Sequence, residues 1–402
     1  MPQFDALTEI DSQFAIPSEV PLPVVHAIHA VEEDNSALID EAMARLIEEA
    51  NQLGLPRPFL SDIQQCSRTG GWSKFARALQ TLDFLGADGR FFLLAPYTTS
   101  RKAKTETVLS AIYGSRLNLG EIPAILPILL DLFGVVHEKV PQIVPIMAHA
   151  GAGWFAGESG EAFIVPNGWA GLPEGDGPVL NNMSEQLNRV KVAFEAISRI
   201  FDETSASLLL SVYTPQSRLM TTLNAEYSFH EGGHASGIGL NHKFAAGVLN
   251  STFYGAVEEW RSDGVAFETA RRALPLETVG TLIASNIITR FGIDAHRSGA
   301  LHLDTDVNSA LLMFHSLIES GMLRVHPNKR LGFVDATFPG LARATEMMSA
   351  SAISLTRREL QLPDPHAIWT LYPSVISVPQ SVRQLFQQTV IDPCLGLYRE
   401  LR

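Results

Sequence analysis

Apolar side chains recur at helical spacing through most of the chain. Leu38, Ala42, Leu46 and Ala50 fall four apart, so they share one face of a helix over 38–53 that Asn35 can cap. The same periodicity predicts helices over 74–85, 105–113 and 121–140, and another from Asn182 or Ser184 towards Phe201. It resumes from near Ser217 through His234, in a helix running on to Arg272, and over 281–291, 304–320 and 339–352. Residues 207–213 suit helix or strand. Strand patterns are fewer: 90–94 after the turn Gly86-Ala87-Asp88-Gly89, and a hairpin over 323–338 around Pro327-Asn328-Lys329. Gly and Pro crowd 157–180, which predicts a long loop or lobe boundary. The sum is a mainly α fold with minor β, two-lobed. Residues 1–115 form a helical or α+β region with a winged-helix-like order over 69–97, and 116–402 a mainly helical one.

Two stretches of the helical region carry chemistry. In Phe229-His230-Glu231-Gly232-Gly233-His234, the histidines are four apart on a helix, so they differ by about 40° around the axis and both imidazoles reach one ion. Glu231 falls between them, beside the ion, where it can take a proton from water activated there. A hydrolytic zinc site needs three protein ligands and an open position. The best third candidate is Glu259, 25 residues after His234, which begins a Glu-x-x-x-Asp spacing with Asp263. Asp263 can accept a hydrogen bond from the nitrogen of a histidine that does not bind metal. His230, His234 and Glu259 are thus the expected ligands of one Zn2+ per chain, on two helices, with Asp263 and Glu258 as supports. HExxH is short enough to arise by chance, and its weight comes from the acidic motif that follows in helix-like sequence.

The second stretch, Glu258-Glu259-Trp260-Arg261-Ser262-Asp263, resembles the Glu-Glu-Cys-Arg-x-acid motif of the dipeptidyl-peptidase III family of zinc peptidases. The resemblance implies that Glu259 binds zinc and that Asp263 supports a ligand histidine. Phe291-Gly292-Ile293-Asp294-Ala295-His296-Arg297, with the apolar helix ending at Glu319-Ser320-Gly321-Met322-Leu323, is similar to a later family segment containing an Ala-His pair. It implies a transition-state role for His296. The resemblance spans 220–325; the family usually carries one extra residue between its zinc histidines, whereas this chain has HExxH spacing.

The reaction expected is a metallohydrolase of peptidase type, with Glu231 as general base and His296 as the first choice of oxyanion donor; Tyr227, Tyr254 and Arg297 are alternatives. The same residues suit hydration, dehydration or cyclisation of a carbonyl compound. A helical binding protein with structural zinc is the non-enzymatic reading.

Composition narrows the partners. A net charge of −13 over 402 residues argues against nucleic acid, which needs a basic face, and is compatible with peptide or amine-bearing small-molecule substrates. Cys66 and Cys394 have no metal-binding spacing, and so few thiols fit a reducing compartment. The N-terminus shows no signal-peptide pattern, and the longest apolar run, 122–136, is interrupted by Pro123, Pro127 and Asp131. No membrane partner is expected, and a cytoplasmic location is the default. Other candidates fall away. His26 and His29 lack defined partners, and the glycine-rich run 149–157 departs from the dinucleotide fingerprint in spacing and is read as following a Pro-interrupted helix. Asp304, Asp306 and Asn308 open like a calcium loop but meet Ser309 and His315 where Gly and Glu are required.

Overall fold

The computed structural model describes residues 20–101, 104–156, 162–164, 178–214, 216–296, 304–395 and 397. The chain forms two compact units, one of Met1–Leu119 and Pro141–Asn188, the other of Gly120–Val140 and Arg189–Arg402.

In the first unit, α1 (Leu22–Glu32), α2 (Ser36–Glu49), α3 (Arg57–Thr69) and α4 (Ser73–Thr81) precede a five-stranded sheet. Asn35 caps α2 as its sequence position predicts, accepting from the amides of Ala37 and Leu38. The sheet comprises β1 (Arg90–Arg101), β2 (Lys104–Arg116), β3 (Ile143–Ala152), β4 (Phe163–Ile164) and β5 (Val179–Asn182), in the order β1-β2-β3-β5-β4. β1 and β2 pair antiparallel from Arg90 opposite Ser115 to Arg101 opposite Lys104, and β3 runs parallel to β5. Phe59, Phe84 and Phe91, all buried, stack ring against ring in the core between helices and sheet.

Three expectations change here. The stretch 105–113 is strand β2, not helix. It is a central strand with Ser110 to Tyr113 all buried, and a short run buried on both faces looks the same in sequence whichever way it folds. The helix over 121–140 shrinks to α5 (Ile125–Phe133), ended by Gly134 in the left-handed conformation, and the glycine-rich run therefore follows β3, not a helix. Finally, the chain returns to the first unit after α5 because β3, β4 and β5 complete its sheet. A single boundary at 115 misses that return, and the strands after α4 belong to a larger sheet than a winged helix has.

The second unit is helical. α6 (Met183–Ile200) crosses into it, followed by α7 (Glu203–Ser211), α8 (Gln216–His234), α9 (Leu240–Ala245), α10 (Thr252–Ala273) and α11 (Leu276–Ile287). α11 runs directly into a π-helical turn, Ile288–Ile293, and a short 3-10 turn, Asp294–His296. Next come α12 (Thr305–Glu319), the hairpin β6 (Leu323–Val325) and β7 (Leu331–Phe333), then α13 (Phe338–Ala344), α14 (Glu346–Glu359), α15 (Ile368–Val375) and α16 (Gln380–Phe386). The hairpin sits where its turn residues predict it. α10 is the axis of the unit, packed against α8, α12 and α14 and buried on nearly every side from Gly255 to Ala270. A helix in that position is normally apolar all round. This one buries Glu258, Arg261 and Asp263, so each must find its counter-charge inside the protein. Among the described residues no helix is long and apolar enough to cross a membrane.

Candidate metal centre

The site begins with how closely α8 and α10 approach. A β-carbon on Gly233 would lie 2.5 Å from both the carbonyl and the hydroxyl oxygen of Ser262, and one on Gly232 would lie 2.7 Å from Ile125 of α5. The paired glycines, each unfavourable in a helix by about 1 kcal/mol, thus let α8 pack against two neighbours at once. The Ser262 hydroxyl donates to the carbonyl of His230 and ties the helices together. Gly233→Ala is expected to destabilise the fold by about 1–3 kcal/mol through overpacking, despite its better helix propensity. Denaturant unfolding of the purified variant measures this, and wild-type stability would contradict the packing argument.

This approach brings two imidazoles face to face. The ring centroids of His230 and His234 are 4.7 Å apart at 89°, with Nε2 to Nε2 at 3.1 Å. Each Nδ1 faces a buried carboxylate: His230 meets Asp263 at 2.7 Å and His234 meets Glu258 at 3.0 Å. Burial works against charge on Asp263, but Arg290 and His230 keep its carboxyl below the usual range, and Arg261 and Lys243 do so more strongly for Glu258. An ionised carboxylate only accepts, so both Nδ1 atoms carry the hydrogen and both Nε2 atoms turn lone pairs towards each other. That arrangement calls for a positive charge between them. Burial opposes a proton on His230, yet Asp263 and Glu259 hold its pKa well above the usual value.

Glu259 completes a triangle. Its oxygens lie 3.4 Å from His230 Nε2 and 3.5 Å from His234 Nε2. Three tetrahedral ligands about 2.0–2.1 Å from a zinc ion stand about 3.3 Å from one another. Edges of 3.1, 3.4 and 3.5 Å therefore match one face of such a tetrahedron. The donor set, two neutral imidazoles and a carboxylate, is also one that zinc accepts. The Glu259 side chain remains 27 % exposed while the histidines are buried, so the triangle opens on the Glu259 side.

Glu259 is held from behind. Arg290, in the π-helical turn, donates to Glu259 at 3.0 Å, to Asp263 at 2.8 Å and to Asp294 at 3.0 Å. Burial alone would raise the Glu259 carboxyl, but His234, His230 and Arg290 depress it far below the usual range. Asn286 donates to Asp263 at 2.9 Å and to Glu226 at 2.8 Å. Burial pushes the Glu226 carboxyl up, against the pull of His230 and Asn286.

Glu231 lies beside the triangle, and it, His230 and His234 offer ligand atoms all within 4.8 Å of one another. Two carboxylates therefore compete for the role of ligand. Glu259 is the one with oxygens near both Nε2 atoms and a guanidinium fixing it there. Tyr227, one turn before Glu231, has its ring 6.0 Å from that of His230 and hydrogen-bonds to Glu231. Burial, and then Glu231 itself, raise the Tyr227 phenol well above its usual range.

The remaining oxyanion candidates differ. Tyr254 gives its hydroxyl proton to the Trp369 carbonyl at 2.9 Å and packs on the rings of Trp369 and Tyr372. His296 directs Nε2 at the Phe291 carbonyl at 2.9 Å, and burial lowers its pKa to about 4, so it is neutral with that nitrogen already committed. Arg297 lies outside the described residues. Sequence reasoning did not reach Glu226, Asn286 or Arg290, nor Lys243, Glu359 and Tyr372, which gather around Glu258. Only Arg261, also part of that cluster, stood inside a recognised motif.

A model of a family of unknown function (DUF6014) matches residues 24–282. No curated protein matches the sequence. The fold is similar to the solved structure of DPP III from Caldithrix abyssi, with a TM-score of 0.61 and 11 % identity, over 92 % of this chain and 72 % of that one. At that identity the likeness concerns the fold.

Proposed function

The chain belongs to a family of unknown function, DUF6014, and from that starting point we propose that it is a zinc-dependent hydrolase of peptidase type. The observation that carries the proposal is the triangle of His230 Nε2, His234 Nε2 and Glu259, with both Nδ1 atoms already committed to carboxylates. His230, His234 and Glu259 hold one zinc per chain, while Asp263 and Glu258 fix the tautomers and orientations of the imidazoles. Zinc bound there supplies a Lewis acid that polarises a substrate carbonyl and acidifies water.

The rest falls to the chain. Glu231, close to the ligand atoms but outside the triangle, takes the proton of the attacking water and returns it to the leaving group. Tyr227 steadies that carboxylate and is the donor nearest to hand for the developing oxyanion, since the Tyr254 and His296 protons are spent elsewhere. A peptide or another amine-bearing substrate fits the acidic chain and the DPP III-like fold, and a cytoplasmic setting fits its few cysteines.

Metal analysis tests the site. Wild-type protein dialysed against trace zinc is expected to hold about one zinc per chain, and Glu259→Ala to lose most of it. Full retention by that variant would remove Glu259 from the ligand set. A peptide library incubated with the zinc-loaded protein tests the reaction, and absence of cleavage at full occupancy would end the peptidase reading.

A further inference from the structure

Behind His234 lies a cluster of charge that the chemistry above does not use. Glu258 is engaged at both oxygens. Oε1 receives His234 Nδ1 at 3.0 Å and Arg261 Nη2, while Oε2 receives Lys243 Nζ, Arg261 Nε at 3.0 Å and the Tyr372 hydroxyl at 3.1 Å. The last three groups also meet a second carboxylate, Glu359. Lys243 is 2.9 Å from it, Arg261 Nε 3.3 Å and the Tyr372 hydroxyl 2.7 Å. Lys243, Arg261, Glu359 and Tyr372 are all completely buried. They come from α9, α10, α14 and α15, so four helices converge on one histidine's support. The backbone makes room for it: Gly237, at a φ of +75°, has no β-carbon where one would fall 2.3 Å from Glu359.

Two buried acids and two buried bases cancel in charge, yet each is costly to remove from water. Well-packed apolar side chains commonly stabilise a core as well or better. What apolar residues cannot do is fix a carboxylate oxygen in line with an imidazole N–H. We propose that Lys243, Arg261, Glu359 and Tyr372 are positioning residues that clamp Glu258 against His234 Nδ1 and thereby set the aim of His234 Nε2 at the metal. The inference rests on the zinc site proposed above and extends it by a further layer, on the side away from Arg290.

The test separates positioning from mere stability. Lys243→Met/Glu359→Gln removes one cation and one anion together and leaves the Arg261–Glu258 pair, and Tyr372→Phe removes a single hydroxyl. Zinc dissociation constants come from competition with a chromophoric chelator. The visible spectrum of bound Co2+ reports ligand geometry, and metal-free thermal unfolding reports the fold. The double variant is expected to unfold near the wild-type midpoint, to bind zinc about 10–100-fold more weakly, and to show a shifted cobalt spectrum. Tyr372→Phe shifts both metal readouts the same way by a smaller factor, and it decides the matter if the double variant does not fold. Wild-type zinc affinity and cobalt spectrum in the folded variants, whatever their thermal midpoints, would overturn the proposal. Glu259→Ala is the control: if wild-type protein binds no zinc, or that variant binds it undiminished, the zinc site itself is wrong and the clamp falls with it.

Discussion

Glu231→Gln is expected to keep its zinc and to lose turnover by about 10²–10⁴-fold, the range for removal of a positioned general base. The substitution preserves length and shape, and the amide oxygen still accepts from Tyr227, so α8 and the imidazoles stay as they are. What disappears is a group able to take a proton. Zinc content by mass spectrometry and cleavage rates on a responsive peptide make the two measurements. Each separates Glu231 from Glu259 in a different way. A variant that loses its metal would make Glu231 a ligand, and one that turns over near the wild-type rate would remove it from the chemistry.

Arg290→Met is expected to destabilise the metal-free protein by about 3–5 kcal/mol, the cost of leaving buried charge without its partner. Arg290 is the cation shared by Asp263, Asp294 and Glu259, and only 7 % of its side chain is exposed. Methionine fills much of the volume and leaves three carboxylates facing one another. Asp294→Asn in the same chain removes one of them and is expected to restore part of the loss. Denaturant unfolding of the wild type and both variants gives the comparison, provided the slope with denaturant is unchanged. A loss below about 1 kcal/mol would place Arg290 among surface pairs in its effect and would contradict its burial.

The part of this centre visible in the sequence is the part that is local. The spacing of His230 and His234 is a property of one helix, and so is that of Glu259 and Asp263, so geometry follows from counting along the chain. Arg290 was invisible because it supports Glu259 from 31 positions away, across a different helix. Lys243, Glu359 and Tyr372 are harder still, three residues from three helices whose meeting depends on the packing of the whole unit. The sheet was missed for a related reason. β2 lies between two strands, and its apolar residues face both ways, so neither the period of a helix nor that of a half-exposed strand stands out. Where one face meets solvent and the other the core, as in α2, the pattern gave the element and its cap together.

The π-helical turn at Ile288–Ile293 bears on how this chain tolerates length changes. A π turn holds one residue more than the α-helical turn it replaces. Deleting any one residue there would let α11 continue in α-helical register and swing whatever follows by about 100° around the axis. Arg290 and Asp294, now aligned with Asp263 and Glu259, would no longer face them together. The segment is therefore sensitive to residue number more than to residue identity. Among natural relatives the counterpart of Arg290 should travel with the extra residue, both kept or both lost.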